Sequence, residues 1–271
     1  MKLHKNISFN HLSEEEQIQK IKENWNNIKY ITNPSEKVQL EFLKEYSWEL
    51  DIIIEKGIIP SEKVQLEFIK YNPWFFKLIT TKGIIPSEQV QLEAVKQNGL
   101  SIQYISNPTE QVQLEAVRNN GFSIKYIDNP SEQVKLEAIK QDCFSIKYII
   151  NPSEKLQLIA VRKYENSIQH IENPSLEIQL EAVKQNIKSI FYIKNPDKET
   201  AFYCITSNPD LLKIKEKQFY YQKLPENYFQ NLPLNIQKIL IETNPLFRTL
   251  IPNLHDSLKD SLYNLKNIGL F

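Results

Sequence analysis

The sequence predicts an all-α fold, an α-solenoid of about nine to ten helix–turn–short-helix repeats of 22–26 residues with a cap at each end. Prolines recur at intervals of 26, 26 and then 22 residues five times over, and a fixed period in this range is the signature of a solenoid. These prolines are Pro34, Pro60, Pro86, Pro108, Pro130, Pro152, Pro174 and Pro196. One repeat carries too few apolar side chains to offset the entropy of ordering it, so the repeats must stack.

The first part of each repeat reads as a long helix, as in "PSEQVQLEAVKQNG" from Pro86 to Gly99. In "NPSE" we expect the asparagine to cap the helix, proline to take the first helical position and glutamate to complete a capping box. We expect the helix to end about thirteen residues later, where glycine in "NG" adopts the left-handed conformation. Pro73 and Pro209 occupy that glycine position and should also end a helix. On a helical wheel, Val90 and Ala94 form one apolar edge.

The second part is a six-residue segment such as "LSIQYI" or "FSIKYI", with isoleucines three residues apart. This spacing favours one or two turns of helix. A strand is the competing interpretation of so short a segment, but the next "NPSE" follows without a strand-partner turn. A short helix is therefore predicted after each long one.

The repeats predict an array over residues 1–217, with residues 12–33 as its N-terminal cap because Glu16 and Lys20 replace the usual valine and alanine. Residues 218–271 are expected to hold a degenerate repeat and a C-terminal helical cap. The second and third repeats carry four-residue insertions, "IIIEKGIIPS" and "LITTKGIIPS", and bulky residues that include Phe42, Phe68, Trp74 and Phe75. Either the bulky residues fill space that the insertions open, or the inserted loops with Lys56 and Lys82 form part of a contact surface.

Composition excludes several classes of protein. Lysine plus arginine equal aspartate plus glutamate at 33 each, so the net charge gives no overall attraction to nucleic acid or to an anionic membrane. The two cysteines, Cys143 and Cys204, have no metal-like spacing, and no run of residues is apolar enough to span a membrane. The first ten residues lack the features of a signal peptide. We expect a cytoplasmic protein without membrane association.

No pattern in the sequence predicts catalysis. The histidines His4, His11, His170 and His255 lack metal-ligand spacing, and the cysteines take the positions of small residues in the repeat. With five glycines there is no phosphate-binding loop or dinucleotide fingerprint. We therefore expect no enzymatic activity and no cofactor.

Two columns of side chains remain as candidate binding residues. A column of cations runs along the long helices, with a column of glutamates beside it, and includes Lys96, Arg118, Lys140, Arg162 and Lys184. An aromatic column with neighbouring lysines runs along the short helices and includes Tyr104, Tyr126, Tyr148, Tyr192, Lys125 and Lys147. The cations could track phosphates or form a solvated surface. The tyrosines could form an inward binding surface or pack between layers.

The segments "LEAVKQNG" (Leu92 to Gly99) and "LEAVRNNG" (Leu114 to Gly121) resemble the short α-helical repeats of uncharacterised bacterial and bacteriophage proteins, a family of unknown function. The resemblance covers roughly Ser13 to Lys217 and implies a solenoid like the superhelix of HEAT repeats. It says nothing about activity.

Because the array carries no reactive groups, we expect a scaffold that binds another protein. The bacteriophage resemblance suggests an inhibitor of a bacterial defence complex, in the manner of anti-CRISPR proteins, with a host nuclease or ribonucleoprotein as the partner. The alternative is a nucleic-acid-binding solenoid that uses the cation column.

Overall fold

The computed structural model describes residues 8–46, 51–55, 57–194 and 196–207. The chain forms two compact units, Met1–Asn151 and Pro152–Phe271. Every regular element in the described part is an α-helix or a 3-10 helix, with no strand, so the predicted all-α repeat fold is confirmed. The predicted array boundary at residue 217, the C-terminal cap over 218–271, Lys56 and Pro209 lie outside the described residues.

Long and short helices alternate along the first unit. Its helices are α1 (Glu14–Glu23), η1 (Trp25–Tyr30), α2 (Glu36–Tyr46), α3 (Asp51–Glu55), α4 (Glu62–Tyr71), α5 (Trp74–Thr81), α6 (Glu88–Gln97), η2 (Gly99–Tyr104), α7 (Glu110–Asn119), η3 (Gly121–Tyr126), α8 (Glu132–Gln141) and η4 (Cys143–Tyr148). Here η denotes a 3-10 helix. The second unit follows the same order with α9 (Glu154–Lys163), η5 (Glu165–His170), α10 (Leu176–Gln185), η6 (Ile187–Tyr192) and α11 (Lys198–Ser207).

Within each unit, successive repeats stack on one another. In the first unit α6 packs against α7 and α7 against α8, while η2 contacts both α6 and α7. Val90, Ala94 and Val95 are buried between the layers, and the matching residues of α7 and α8 are buried in the same way. In the second unit α9 packs against α10 and α10 against α11. Each repeat thus completes the core of its neighbour, as expected for a repeat protein.

The long helices begin two residues later than the sequence suggested, and the predicted asparagine cap is wrong. Helix α6 starts at Glu88, and the side chain of Ser87 accepts the cap hydrogen bond from the Val90 amide. Ser61, Thr109 and Ser131 cap α4, α7 and α8 in the same way. Serine and threonine are strong N-caps, so "SE" is the start signal. A full capping box forms in α1, between Ser13 and Glu16.

The cap hydroxyls also link neighbouring long helices. Ser87 donates to Glu62 Oε1 at 2.7 Å and Thr109 donates to Glu88 Oε1 at 2.6 Å. In the second unit Ser175 donates to Glu154. The glutamate at the first position of each of these helices therefore binds the next repeat, and this explains its recurrence better than the predicted capping box does.

The asparagine before the proline forms the turn between repeats. Asn107, Asn129 and Asn151 have φ of 55°, 50° and 48°, a conformation that asparagine tolerates better than most residues. The inserted repeats carry exposed isoleucines, Ile59 and Ile85, before the proline. There Gly57 and Gly83 supply the positive φ, at 74° and 81°, so the insertions replace one left-handed turn by another.

The glycines that follow the long helices have a different role from the predicted left-handed cap. The preceding Asn98 is extended, with φ of −150°, and its side chain caps η2 by accepting from the Leu100 amide. A Cβ atom on Gly99 would lie 2.4 Å from the carbonyl oxygen of Ala116 in the next repeat. The Gly99 amide also donates to Asn119 Oδ1 at 2.7 Å. Glycine is needed at Gly99 because the next repeat approaches its backbone closely.

The short segments are helical, as predicted, and the strand alternative is wrong. The six-residue segments from η1 to η6 are 3-10 helices, in which side chains three residues apart align. Ile102, Ile124 and Ile146 are buried on the inner side of these helices. The neighbouring Ser123, Ser145, Ser167 and Ser189 are fully buried, and their hydroxyls have no hydrogen-bond partner among the described residues.

These buried serines supply small size rather than hydrogen bonds, which gives a first prediction. Ser123 Oγ lies 2.9 Å from where a Cβ on Gly99 would be, so there is no room for a larger residue. Because an unsatisfied hydroxyl stabilises nothing, S123A should leave the free energy of unfolding unchanged or raise it by up to about 1 kcal/mol. S123L should lower it by about 1–3 kcal/mol through overpacking. Urea denaturation measures both, and a clear loss of stability in S123A would contradict this role.

The prediction that bulky residues fill the space opened by the insertions is confirmed for the phenylalanines and wrong for Trp74. Phe42, Phe68 and Phe75 are almost completely buried, and the rings of Phe68 and Phe75 stack at 4.5 Å between centroids. Trp74 is 71% exposed. It begins α5, an eight-residue α-helix in place of the usual short 3-10 helix, and its ring projects into solvent.

Candidate functional site

Each repeat has a second helix after its long one, and in the first compact unit the second helices of four successive repeats lie side by side. Helix α5 packs against η2, η2 against η3 and η3 against η4. Because these helices occupy equivalent positions in their repeats, their equivalent side chains line one surface. We call this surface the aromatic-lysine face; it consists of Trp74, Lys77, Tyr104, Lys125, Tyr126, Lys147 and Tyr148.

The lysines of this face lie against the aromatic rings. Lys77 Nζ is 6.0 Å from the ring centroid of Trp74 and 5.7 Å from that of Tyr104. Lys125 Nζ is 5.5 Å from the Tyr126 centroid and 5.8 Å from that of Tyr148. Lys147 Nζ is 5.7 Å from the Tyr148 centroid. These distances lie within the range of cation–π attraction, so the ammonium groups are held near the rings.

The tyrosines are partly packed and partly open to solvent. Tyr126 is 40% exposed, whereas Tyr104 and Tyr148 are half-buried. The ring of Phe122 meets that of Tyr148 edge-on, at 5.9 Å between centroids. The sequence left two interpretations of the aromatic column, a binding surface or packing between layers. Each describes part of the column, because the rings pack between layers on one side and are open to solvent on the other.

The ammonium groups of the face have no acidic partners in the part of the chain that the structure describes. No carboxylate lies within ion-pair distance of Lys77, Lys125 or Lys147 there. The four helices that carry the face, α5 and η2 to η4, contain these three lysines and no aspartate or glutamate. Their surface thus has a local positive charge on a chain of zero net charge.

The cation column of the long helices is exposed, as expected, but much of its charge is neutralised. Lys140 Nζ lies 2.8 Å from Glu137 Oε1, and Arg118 Nε lies 3.4 Å from the other oxygen of that carboxylate. The hydrogen bond from Lys140, with a contribution from Arg118, lowers the pKa of Glu137 below its usual value, so this carboxylate is ionised at neutral pH. Lys44 and Lys70 pair with Glu41 and Glu67.

In the second unit, Arg162 Nε lies 3.7 Å from Glu181 Oε2. Lys96 and Lys184 are exposed members of the same column. Glutamates therefore pair with cations of this column at several repeats of the first unit and at Arg162 in the second.

The structure places five of the eight predicted partner-binding residues on the aromatic-lysine face: Tyr104, Tyr126, Tyr148, Lys125 and Lys147. Tyr192 is 44% exposed on η6 and belongs to the second unit. Lys82 is exposed at the C-terminal end of α5. Lys56 lies outside the described residues.

Sequence reasoning missed two members of the face, Trp74 and Lys77. Counted from the proline of each repeat as position 1, Lys77, Lys125 and Lys147 all occupy position 18. Alignment of the inserted repeats on this position would have identified Lys77. Nothing in the sequence distinguished the exposed Trp74 from the buried Phe75 beside it.

The described residues form no candidate metal centre, and their two cysteines are buried. No group of three or more histidine, cysteine, aspartate or glutamate side chains there could hold a metal ion. Cys143 and Cys204 are both buried, as expected of small filler residues. Burial raises the pKa of Cys204 to about 12, so its thiol is protonated at neutral pH and is a poor nucleophile. Among the described helices, none has the length and apolar character needed to cross a membrane.

Comparison with protein families gives a match to a family of unknown function. The family described as "Domain of unknown function (DUF4116)" matches residues 87–131. This segment runs from the N-cap of α6 to the N-cap of α8 and so contains two complete repeats, including η2 and η3. Neither the curated proteins nor the solved structures contain a match to the chain.

Proposed function

We propose that this protein is a non-enzymatic scaffold that binds another protein through the aromatic-lysine face. The observation that carries the proposal is the contrast between the two sets of cations. The lysines of the face lie on aromatic rings without acidic partners in the described part of the chain, whereas much of the long-helix column is paired with glutamate. Exposed tyrosine and tryptophan side chains are enriched in protein interfaces, and unpaired lysines beside them give the surface a charge that a partner can complement.

The partner that we propose is a component of a bacterial defence complex, such as a nuclease or a ribonucleoprotein, which the scaffold would inhibit. This part of the proposal rests on the resemblance of the repeats to those of bacterial and bacteriophage proteins. It places the protein in the cytoplasm, where such complexes act.

A matched pair of variants tests the face. The triple variant K77Q/K125Q/K147Q removes three charges from the aromatic-lysine face, and K96Q/R118Q/K140Q removes three from the long helices. Since each set changes the net charge equally, a difference between them reports the location of binding. We expect the first triple variant to weaken capture of the partner at least about tenfold and the second to change it by less than about twofold.

The measurement is affinity capture with the tagged chain from a bacterial lysate, followed by titration of the captured protein. Equal capture by the wild type and K77Q/K125Q/K147Q would contradict the proposed face. Recovery of nucleic acid alone, with binding that weakens steeply as salt rises and that is lost in K96Q/R118Q/K140Q, would favour the alternative nucleic-acid function.

A further inference from the structure

We infer that the partner presents to the aromatic-lysine face an extended acidic segment whose carboxylates recur at every third residue. The inference rests on the proposed function and specifies the chemistry of the partner. It follows from the local positive charge of the face and from the way the repeats space its lysines.

The charge of the face selects an acidic partner. Lys77, Lys125 and Lys147 have no carboxylate within ion-pair distance in the described part of the chain. Cation–π contacts hold the ammonium groups near the rings but do not supply negative counter-charges. In a protein complex, a positive surface of one partner usually meets a negative surface of the other. Carboxylates of a partner would supply the missing charges.

The repeats set the spacing of those carboxylates. Lys125 and Lys147 occupy the same position of the adjacent short helices η3 and η4, which pack together. Packed helices lie about 8–10 Å apart, and a segment in the polyproline II conformation has three residues per turn and advances about 3.1 Å per residue. Every third residue of such a segment would therefore face the same side and reach the next short helix. Lys77 lies two helices from Lys125, with Gln103 at the equivalent position of η2 between them.

The surface beside Lys125 favours a polypeptide over a nucleic acid. A cleft of about 570 Å³ between η3 and η4 has a mixed lining, with polar side chains that include Lys125, Asp128 and Lys135 and the aliphatic side chain of Ile150. Ile150 is 86% exposed. An aliphatic side chain of the partner can enter this cleft, whereas a phosphate backbone has no apolar group to place there.

Synthetic peptides test the inference on the full chain. The probe is a fluorescein-labelled 13-residue peptide with glutamate at positions 2, 5, 8 and 11 in a background of serine, threonine and proline. Its control has the same composition with the four glutamates contiguous. In fluorescence anisotropy we expect the spaced peptide to bind at least about tenfold more tightly than the control, with binding that weakens as salt rises. K125Q/K147Q should abolish the difference and K96Q should preserve it.

Each other outcome would overturn the inference. Equal binding of the two peptides, or binding of neither, would show that carboxylate spacing does not govern recognition. The proposed face would still stand if capture of the native partner depended on Lys77, Lys125 and Lys147, and it would fall only if capture did not. Tighter binding of labelled oligothymidine than of the spaced peptide, lost in K125Q/K147Q, would assign the face to single-stranded nucleic acid.

Discussion

Replacing Phe75 by alanine is expected to lower the free energy of unfolding by about 3–5 kcal/mol. Its side chain is 1% exposed, and its ring stacks on that of Phe68 in the same inserted repeat. Removal of the ring would leave a cavity between helices α4 and α5, which pack together. Chemical denaturation followed by circular dichroism measures the effect.

The adjacent Trp74 provides the matched control, because W74A removes a ring of similar size that is 71% exposed. We expect W74A to change the free energy of unfolding by less than about 0.5 kcal/mol and to weaken partner binding, while F75A should act mainly on stability. If W74A destabilised the protein as much as F75A, Trp74 would be a packing residue and would not belong to a binding surface.

Replacing Gly99 by alanine is expected to lower the free energy of unfolding by about 1–3 kcal/mol. The added Cβ would lie 2.4 Å from the Ala116 carbonyl oxygen and 2.9 Å from Ser123 Oγ, both in the next repeat. Since the first contact is with backbone, α7 and η3 would have to move away from α6 and η2. Thermal and urea denaturation would detect the loss.

Gly83 is the control for this second prediction, because a Cβ there would meet no atom within 4 Å. Its φ of 81° is positive, and asparagine tolerates positive φ better than most residues. Asn107 and Asn129 already adopt positive φ in the turns between other repeats. G83N should therefore cost less than about 1 kcal/mol. A G99A variant as stable as the wild type would mean that adjacent repeats are not in close contact at this point.

The repeat fold could be predicted from the sequence because its signals are local and recur. The period predicted that the repeats stack in successive layers, and helical spacing predicted buried positions such as Val90 and Ala94. The details of the helix ends were harder to predict. Asparagine, proline, serine and glycine are each compatible with several cap or turn conformations, and contacts with the next repeat decide among them. Gly99 shows this, since its close contact comes from Ala116, 17 residues further along the chain.

The candidate site could be predicted only in part. Tyr104, Tyr126 and Tyr148 stood out because they recur in regular repeats, as did Lys125 and Lys147. Trp74 and Lys77 escaped notice because the insertion changes the short helix into an α-helix and disturbs the pattern. The distinction between paired and unpaired lysines needs coordinates, because the sequence shows where glutamates recur but does not give the distances from their carboxylates to the lysines.

Hydrogen exchange on the complex with the captured partner tests the location of binding most directly, since slowed exchange reports which backbone amides become protected. If the aromatic-lysine face is the interface, protection should appear in residues 74–81, 99–104, 121–126 and 143–148 and should be absent from the exposed side of the long helices. Protection confined to the long helices, with unchanged exchange in the short ones, would contradict the account.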